Sequence, residues 1–214
     1  VLNDCDKFIK KDTKILFASS SAIYGTVKNI ISENTAPLKP ESNYGSMKAA
    51  CESFISSYSY KNNLKSFIFR FPNVVGSNLT HGVIYDLSKK ILSKKKHLEI
   101  LGNGEQCKPY SDVDEIVNCM IFLKKKKNKN LINFYNIGSN DKGVKVKEIV
   151  KLLIKKFRYK KKIKYQKKKY GWPGDIITYK YSTLKMNKAG FKFKLSSIEA
   201  IEKTINIISK NLFK

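Results

Sequence analysis

Tyr44 and Lys48 stand four residues apart, and Ser20 lies upstream at the end of a short apolar stretch. These three side chains could move a proton on and off an alcohol. A free tyrosine, with a pKa near 10, is a poor base at neutral pH. An ammonium close by favours the phenolate, and a serine hydroxyl within hydrogen-bond reach can hold the substrate oxygen and relay its proton. This is equipment for deprotonating a sugar or alcohol hydroxyl while hydride leaves the same carbon. Spacing alone does not single the pair out. With 12 tyrosines in a lysine-rich chain, chance gives about two Tyr-x-x-x-Lys pairs. There are five, at Tyr24/Lys28, Tyr44/Lys48, Tyr85/Lys89, Tyr165/Lys169 and Tyr181/Lys185.

The surrounding elements separate Tyr44/Lys48 from the other four. Lys14 to Phe17 reads as a strand that breaks into Ser19-Ser20-Ser21, and Pro40-Glu-Ser-Asn43 prepares a helix opening near Tyr44. Residues four apart share a helix face, so both side chains would enter one crevice. This helix is expected to run to about Tyr60, with Met47, Cys51, Phe54, Ile55 and Tyr58 forming a stripe against a sheet. Ser66–Phe71 is a near-continuous apolar run, as in a strand covered on both faces. Beyond Gly76 the pattern predicts a helix over Val83–Leu92 and a strand over Leu98–Leu101. Gly102-Asn-Gly104 lacks the third glycine and the following helix of a phosphate loop, so it reads as a turn. Ser111 is the expected N-cap of the next helix, with Asp112, Asp114 and Glu115 favourable to its dipole. A strand over Asn133–Gly138, an amphipathic helix over Val144–Phe157 and a strand around Ile163–Tyr165 follow. Ser196-x-x-Glu199 is a capping box opening a last helix with Ile201, Ile205, Ile208 and Leu212 on its buried stripe. At the front, Leu2, Cys5, Phe8 and Ile9 share a helical face.

Composition narrows the classes. The formal net charge of +26 would ordinarily suggest nucleic acid. Of the 43 basic residues, however, only Arg70 and Arg158 are arginine, whereas phosphate-reading surfaces favour arginine forks. The lysine runs at 124–127, 160–162 and 167–169 read as solvated faces and loops. No apolar run nears the ~20 residues that span a bilayer. Cys5, Cys51, Cys107 and Cys119 have no C-x-x-C spacing, and His81 and His97 stand alone; no metal site is expected. Scattered cysteines suit a reducing cytoplasm.

Ser19-Ser-Ser-Ala-Ile-Tyr-Gly25 followed by Tyr44-x-x-x-Lys48 resembles the extended short-chain dehydrogenase/reductases, the nucleotide-sugar epimerase/dehydratase family. Arg70-Phe-Pro-Asn-Val-Val-Gly76, Leu101-Gly-Asn-Gly-Glu-Gln-Cys-Lys-Pro-Tyr110, Tyr135-Asn-Ile-Gly-Ser139 and Gly171-Trp-Pro-Gly-Asp175 follow in the family's order. Thr80-His-Gly-Val-Ile-Tyr-Asp86 adds a likeness to UDP-glucose 4-epimerase-like members. The resemblance implies Ser20, Tyr44 and Lys48 as catalytic residues, and Tyr44, Lys48, Phe71 and Pro72 around NAD, with NADP less favoured. It implies Ser20, Asn73, Val83, Lys108 and Asp175 around the substrate. Lys108 replaces a family arginine, keeping the charge but losing the bidentate fork. Family dehydratases carry acidic residues at the two positions after the catalytic hydroxyl; here those are Ser21 and Ala22, which points towards epimerisation.

No Gly-x-x-Gly-x-x-Gly or Gly-x-Gly-x-x-Gly occurs, although a doubly wound sheet needs such a turn to bind a dinucleotide. The family places that turn earlier, so the 214 residues are expected to be the back part of a longer enzyme. Such a piece would expose a sheet edge and be inactive alone. The expected fold is α/β: the C-terminal part of a doubly wound Rossmann-type parallel sheet plus a small α/β substrate-binding domain. Residues 1–76 would belong to the dinucleotide-binding domain and 77–214 mostly to the substrate domain, with about 112–140 returning to the main one. The expected activity is NAD-dependent C4 epimerisation of a UDP-sugar through a transient 4-keto sugar, in a homodimer, with no nucleic acid or membrane partner. The alternatives are an NAD(P)-dependent reductase or dehydratase of the same family and, more distantly, a basic nucleic-acid-binding module.

Overall fold

The computed structural model describes residues 9–10, 12–93, 96–171 and 180–212. Asp175 and most of the expected N-terminal helix lie outside them. In chain order the elements are β1 (Lys14–Ser20), a 3-10 turn (Ser21–Tyr24), α1 (Asn43–Asn62), β2 (Lys65–Phe71), β3 (Asn73–Val75) and α2 (Val83–Leu92). Then come β4 (His97–Ile100), β5 (Cys107–Lys108), β6 (Tyr110–Asp112), α3 (Val113–Lys125), β7 (Ile132–Asn136) and β8 (Val144–Lys145). The last are α4 (Val146–Phe157), β9 (Lys162–Tyr165), α5 (Leu184–Lys188) and α6 (Ser197–Leu212).

β1, β2 and β7 form an all-parallel sheet in the order β1-β2-β7. Successive side chains of a strand point to opposite faces, and β2 uses both. Ser66 and Arg70 meet Ser59 and Glu52 of α1. Phe67 and Phe69 instead pack into a core with Ile116, Cys119 and Leu123 of α3, Tyr135 and Ile137 around β7, and Met186 of α5. Helices therefore cover both sheet faces, as a buried parallel strand requires. A second core joins Ile84, Leu87 and Ile91 of α2, Leu98 and Ile100 of β4, Ile149 and Leu153 of α4, and Ile201, Ile205 and Ile208 of α6. Parallel β4–β9 and antiparallel β5–β8 pairs lie with this second group, and β3 pairs with β6. The mixed α/β architecture with a parallel sheet is the expected fold class.

Three local expectations need correction. The stripe Met47, Cys51, Phe54, Ile55 and Tyr58 does not pack on the sheet: Met47 is 62% and Phe54 71% exposed, and only Ile55 is fully buried. The face of α1 turned inwards carries Gly45, Glu52, Ile55 and Ser59, because its partners Ser19, Ser66 and Arg70 are polar. Ser111 does not cap α3. Asp112 does, accepting from the Asp114 amide at 3.1 Å, while the Ser111 hydroxyl accepts from the Ser139 amide at 3.0 Å. Finally, β1 continues through Ser19 and Ser20 instead of ending at Phe17. The Ser196 capping box forms as read, with the Ser196 amide donating to Glu199 at 2.8 Å.

Candidate active site

The first turn of α1 is built to lie against the segment that follows Ser20. Ser42 caps the helix, accepting from the Gly45 amide at 3.1 Å. Gly45 lies so close to the 3-10 turn that a Cβ there would come within 2.6 Å of the Ala22 carbonyl oxygen. Ser20 caps that turn in its own right, accepting from the Ala22 amide at 3.2 Å. One helical turn past Tyr44, the Lys48 ammonium donates to the Ala18 carbonyl of β1 at 2.7 Å. The same ammonium lies 5.7 Å from the Tyr44 ring centroid and 5.0 Å from that of Phe17. Tyr44 itself is 51% exposed.

In the parallel register Ser20 stands opposite Phe71. Pro72 follows, buried, with Gly138 packed so tightly that a Cβ would approach its ring to 2.9 Å. Ser20, Phe71 and Pro72 thus lie at the carboxyl edge of the sheet, the side where open α/β sheets bind ligands, and Lys48 is tied to the same strand end. The remaining sequence-predicted residues sit on other elements. Asn73 opens β3 and its amide donates to the Pro109 carbonyl at 3.3 Å. Val83 begins α2, half-buried against the second core. Lys108 lies in β5 opposite Val144. Nearby, Glu105 accepts from Lys145 at 2.7 Å and Lys147 at 2.6 Å, and these hydrogen bonds bring its carboxyl down to about 2. A cavity of about 450 Å³ opens beside Ser139, Asp141 and Lys194, and none of the predicted residues lines it.

Beneath the catalytic candidates lies a polar network that the sequence reading missed. Glu52 is 3% and Arg70 4% exposed, so their charges have to be satisfied within the protein. Arg70 Nη2 meets Glu52 Oε2 at 2.6 Å, and Nε reaches Oε1 at 3.0 Å. Ser19 donates its hydroxyl to Glu52 Oε1. Arg70 Nη1 donates to the Tyr24 hydroxyl at 2.8 Å and to the Glu33 carbonyl at 3.2 Å. Tyr24 passes the chain on, donating to Asn136 Oδ1 at 2.8 Å. Tyr181 closes it from outside by donating to the Arg70 carbonyl. Burial, only partly offset by Arg70, pushes the Tyr24 phenol up to about 12, so it stays a donor at physiological pH. Burial opposes the Arg70 charge, but the hydrogen bonds that the guanidinium donates to Glu52, with Tyr24 beside it, leave its pKa raised. Two sequence signals pointed here: an acid one turn beyond Lys48, and an arginine inside the apolar run from Phe67 to Phe71.

Among the described residues no group of three or more His, Cys, Asp or Glu could hold a metal ion, and no helix is long and apolar enough to cross a membrane. A family model described as the NAD dependent epimerase/dehydratase family matches residues 2–138. A human protein named dTDP-D-glucose 4,6-dehydratase is 25% identical over 205 residues, covering 92% of this chain and 57% of its own length. Among solved structures, a UDP-galactose 4-epimerase is 30% identical with a TM-score of 0.82, over 93% of this chain and 64% of that one. A UDP-glucose 4-epimerase from Thermotoga maritima, solved with UDP-glucose, is 27% identical with a TM-score of 0.81, over 99% and 67%. The chain therefore spans a little over half the length of the human relative.

Proposed function

The chain belongs to the NAD dependent epimerase/dehydratase family, and from that premise we propose that this protein inverts C4 of a UDP-sugar, in the manner of a UDP-glucose 4-epimerase. One observation carries the reading: the Lys48 ammonium bridges the Tyr44 ring and the strand end that presents Ser20. Tyr44 takes the proton of the sugar 4-hydroxyl, and Ser20 holds that oxygen. Lys48 stabilises the negative charge developing on the phenol oxygen and binds the nicotinamide ribose. Phe71, opposite Ser20 in register, and Pro72 after it would hold the nicotinamide. Bound NAD would supply the acceptor and the donor for the C4 hydride. Tyr44 then returns the proton to the re-formed hydroxyl. Asn73, Val83, Lys108 and Asp175 are assigned to the diphosphate and nucleotide. Residues 1–76 with 112–140 are assigned to the cofactor-binding part, and the remainder mostly to the substrate part.

The human relative is a dehydratase by name, yet dehydration needs an acid beside the reacting sugar. Ser21 and Ala22 supply none. The buried carboxylate on this side of α1, Glu52, is already held by Arg70 and Ser19. The exposed outer face of α1, with Met47 and Phe54, suits a homodimer contact. Cys51, Cys107 and Cys119 are free thiols, in keeping with a cytoplasmic setting. The test is product analysis: the full protein with NAD should convert UDP-glucose to UDP-galactose and not to a 4-keto-6-deoxy sugar. A 4-keto-6-deoxy product would overturn the reading.

A further inference from the structure

Glu52 is the point where the elements carrying Ser20, Tyr44 and Lys48 meet. It lies on α1 one turn past Lys48 and two past Tyr44. Its carboxylate accepts from Ser19, the residue before Ser20 on β1. It also accepts from Arg70, the residue before Phe71 on β2. Arg70 extends the connection to Tyr24 in the 3-10 turn after Ser20, and Tyr24 to Asn136 at the end of β7. All three strands of the sheet, the turn and the helix thus share one chain of buried hydrogen bonds. The guanidinium is further enclosed by the Tyr24 and Phe134 rings, at 5.1 Å and 4.6 Å.

We propose that Glu52, Arg70 and Tyr24 are positioning residues that set the register of α1 against β1 and β2, and so hold Tyr44 and Lys48 over Ser20. The inference rests on the catalytic roles proposed above. A generic core would not achieve this register, because apolar contacts tolerate sliding whereas a carboxylate–guanidinium fork has one geometry. The inward face of α1 bears this out. Its polar contacts to the sheet include Ser59–Ser66, Glu52–Arg70 and Glu52–Ser19, and Ile55 is the one large apolar side chain among its buried residues. The outer face carries the Met and Phe that an ordinary sheet-packing helix would turn inwards. Lys48 depends on the same alignment, since its bond to the Ala18 carbonyl spans helix and strand.

Two variants and two readouts test this. Tyr24→Phe removes only the hydroxyl through which Arg70 reaches β7, and Glu52→Gln removes the charge at the hub. Each is assayed in the full protein for kcat and KM with UDP-glucose. In parallel, Lys48 acetylation by acetic anhydride is followed by mass spectrometry, with folded fraction measured alongside. Positioning predicts that kcat per folded molecule falls by about 100-fold for Glu52→Gln, the scale of a misplacement of roughly 1 Å, and less for Tyr24→Phe. KM should stay within about twofold and Lys48 labelling should accelerate in both. Should Glu52→Gln fail to fold, the same kcat–KM split and faster labelling in Tyr24→Phe carry the test. Stability loss with kcat per folded molecule and Lys48 labelling unchanged would overturn the proposal and leave the network purely structural. If the wild-type protein turns over no UDP-sugar, the functional reading fails on its own, and the labelling rates still decide the register claim.

Discussion

The central assignment at the residue scale is Tyr44 as the proton-transfer group. General acid–base catalysis contributes about 10²–10⁴-fold, so Tyr44→Phe should lower kcat by roughly 1,000-fold while UDP binding, measured by calorimetry, stays close to wild type. Tyr24 gives a different residue-level expectation. Its pKa is raised from 10.0 to about 12 in the folded protein, chiefly by burial. A group with a raised folded value contributes stability that is complete below the unfolded pKa and is lost as pH climbs through the folded one. The native state should therefore weaken between pH 10 and about 12, by about 2–3 kcal/mol from this group. Urea unfolding across that window should give a steeper decline for wild type than for Tyr24→Phe. Equal slopes would mean that Tyr24 is not a buried phenol.

At the scale of elements, the site depends on how closely α1 approaches the turn after β1. Gly45 allows that approach, because any side chain would strike the Ala22 carbonyl at 2.6 Å. Gly45→Ala should cost about 1–3 kcal/mol, as overpacking commonly does, and should lower kcat beyond the loss of folded protein. Thermal melts beside kinetics check both parts; unchanged kcat would show that the spacing of α1 from the turn is not critical. This helix also marks how far the sequence could be read. Elements with one dominant periodicity were legible: α2 covers Val83–Leu92 as expected, and the capping box at Ser196 opens α6. The orientation of α1 was not, because hydrophobic periodicity assumes that the apolar face is the buried one. Here the buried face is polar and gains its stability from Arg70, a partner distant in sequence. Such pairing leaves no periodic trace. Ser111 was misread for a related reason: its hydroxyl serves Ser139, which only the fold brings near.

For the whole molecule, charge and surface come into play. A net charge of +26 should draw an anionic UDP-sugar towards the site. The full protein's kcat/KM should then fall as salt rises, with kcat itself little changed; a salt-independent kcat/KM would rule out that steering. The exposed Met47 and Phe54 on the outer face of α1 should be covered in a homodimer. Phe54→Glu should shift the full protein towards monomer in sedimentation velocity, and an unshifted oligomer would place the contact elsewhere. The family fold was readable at this scale because its motifs come in order along the chain, from Ser20 through Gly171. The surface of α1 was not, since exposure is decided by which neighbours a helix meets.

The most direct test follows the hydrogen on C4. UDP-glucose deuterated at C4 and incubated with the full protein and NAD should yield UDP-galactose that keeps its deuterium at C4, because the hydride returns to the carbon it left. Loss of the label from C4, or its appearance at C6 of a deoxy sugar, would contradict epimerisation at C4.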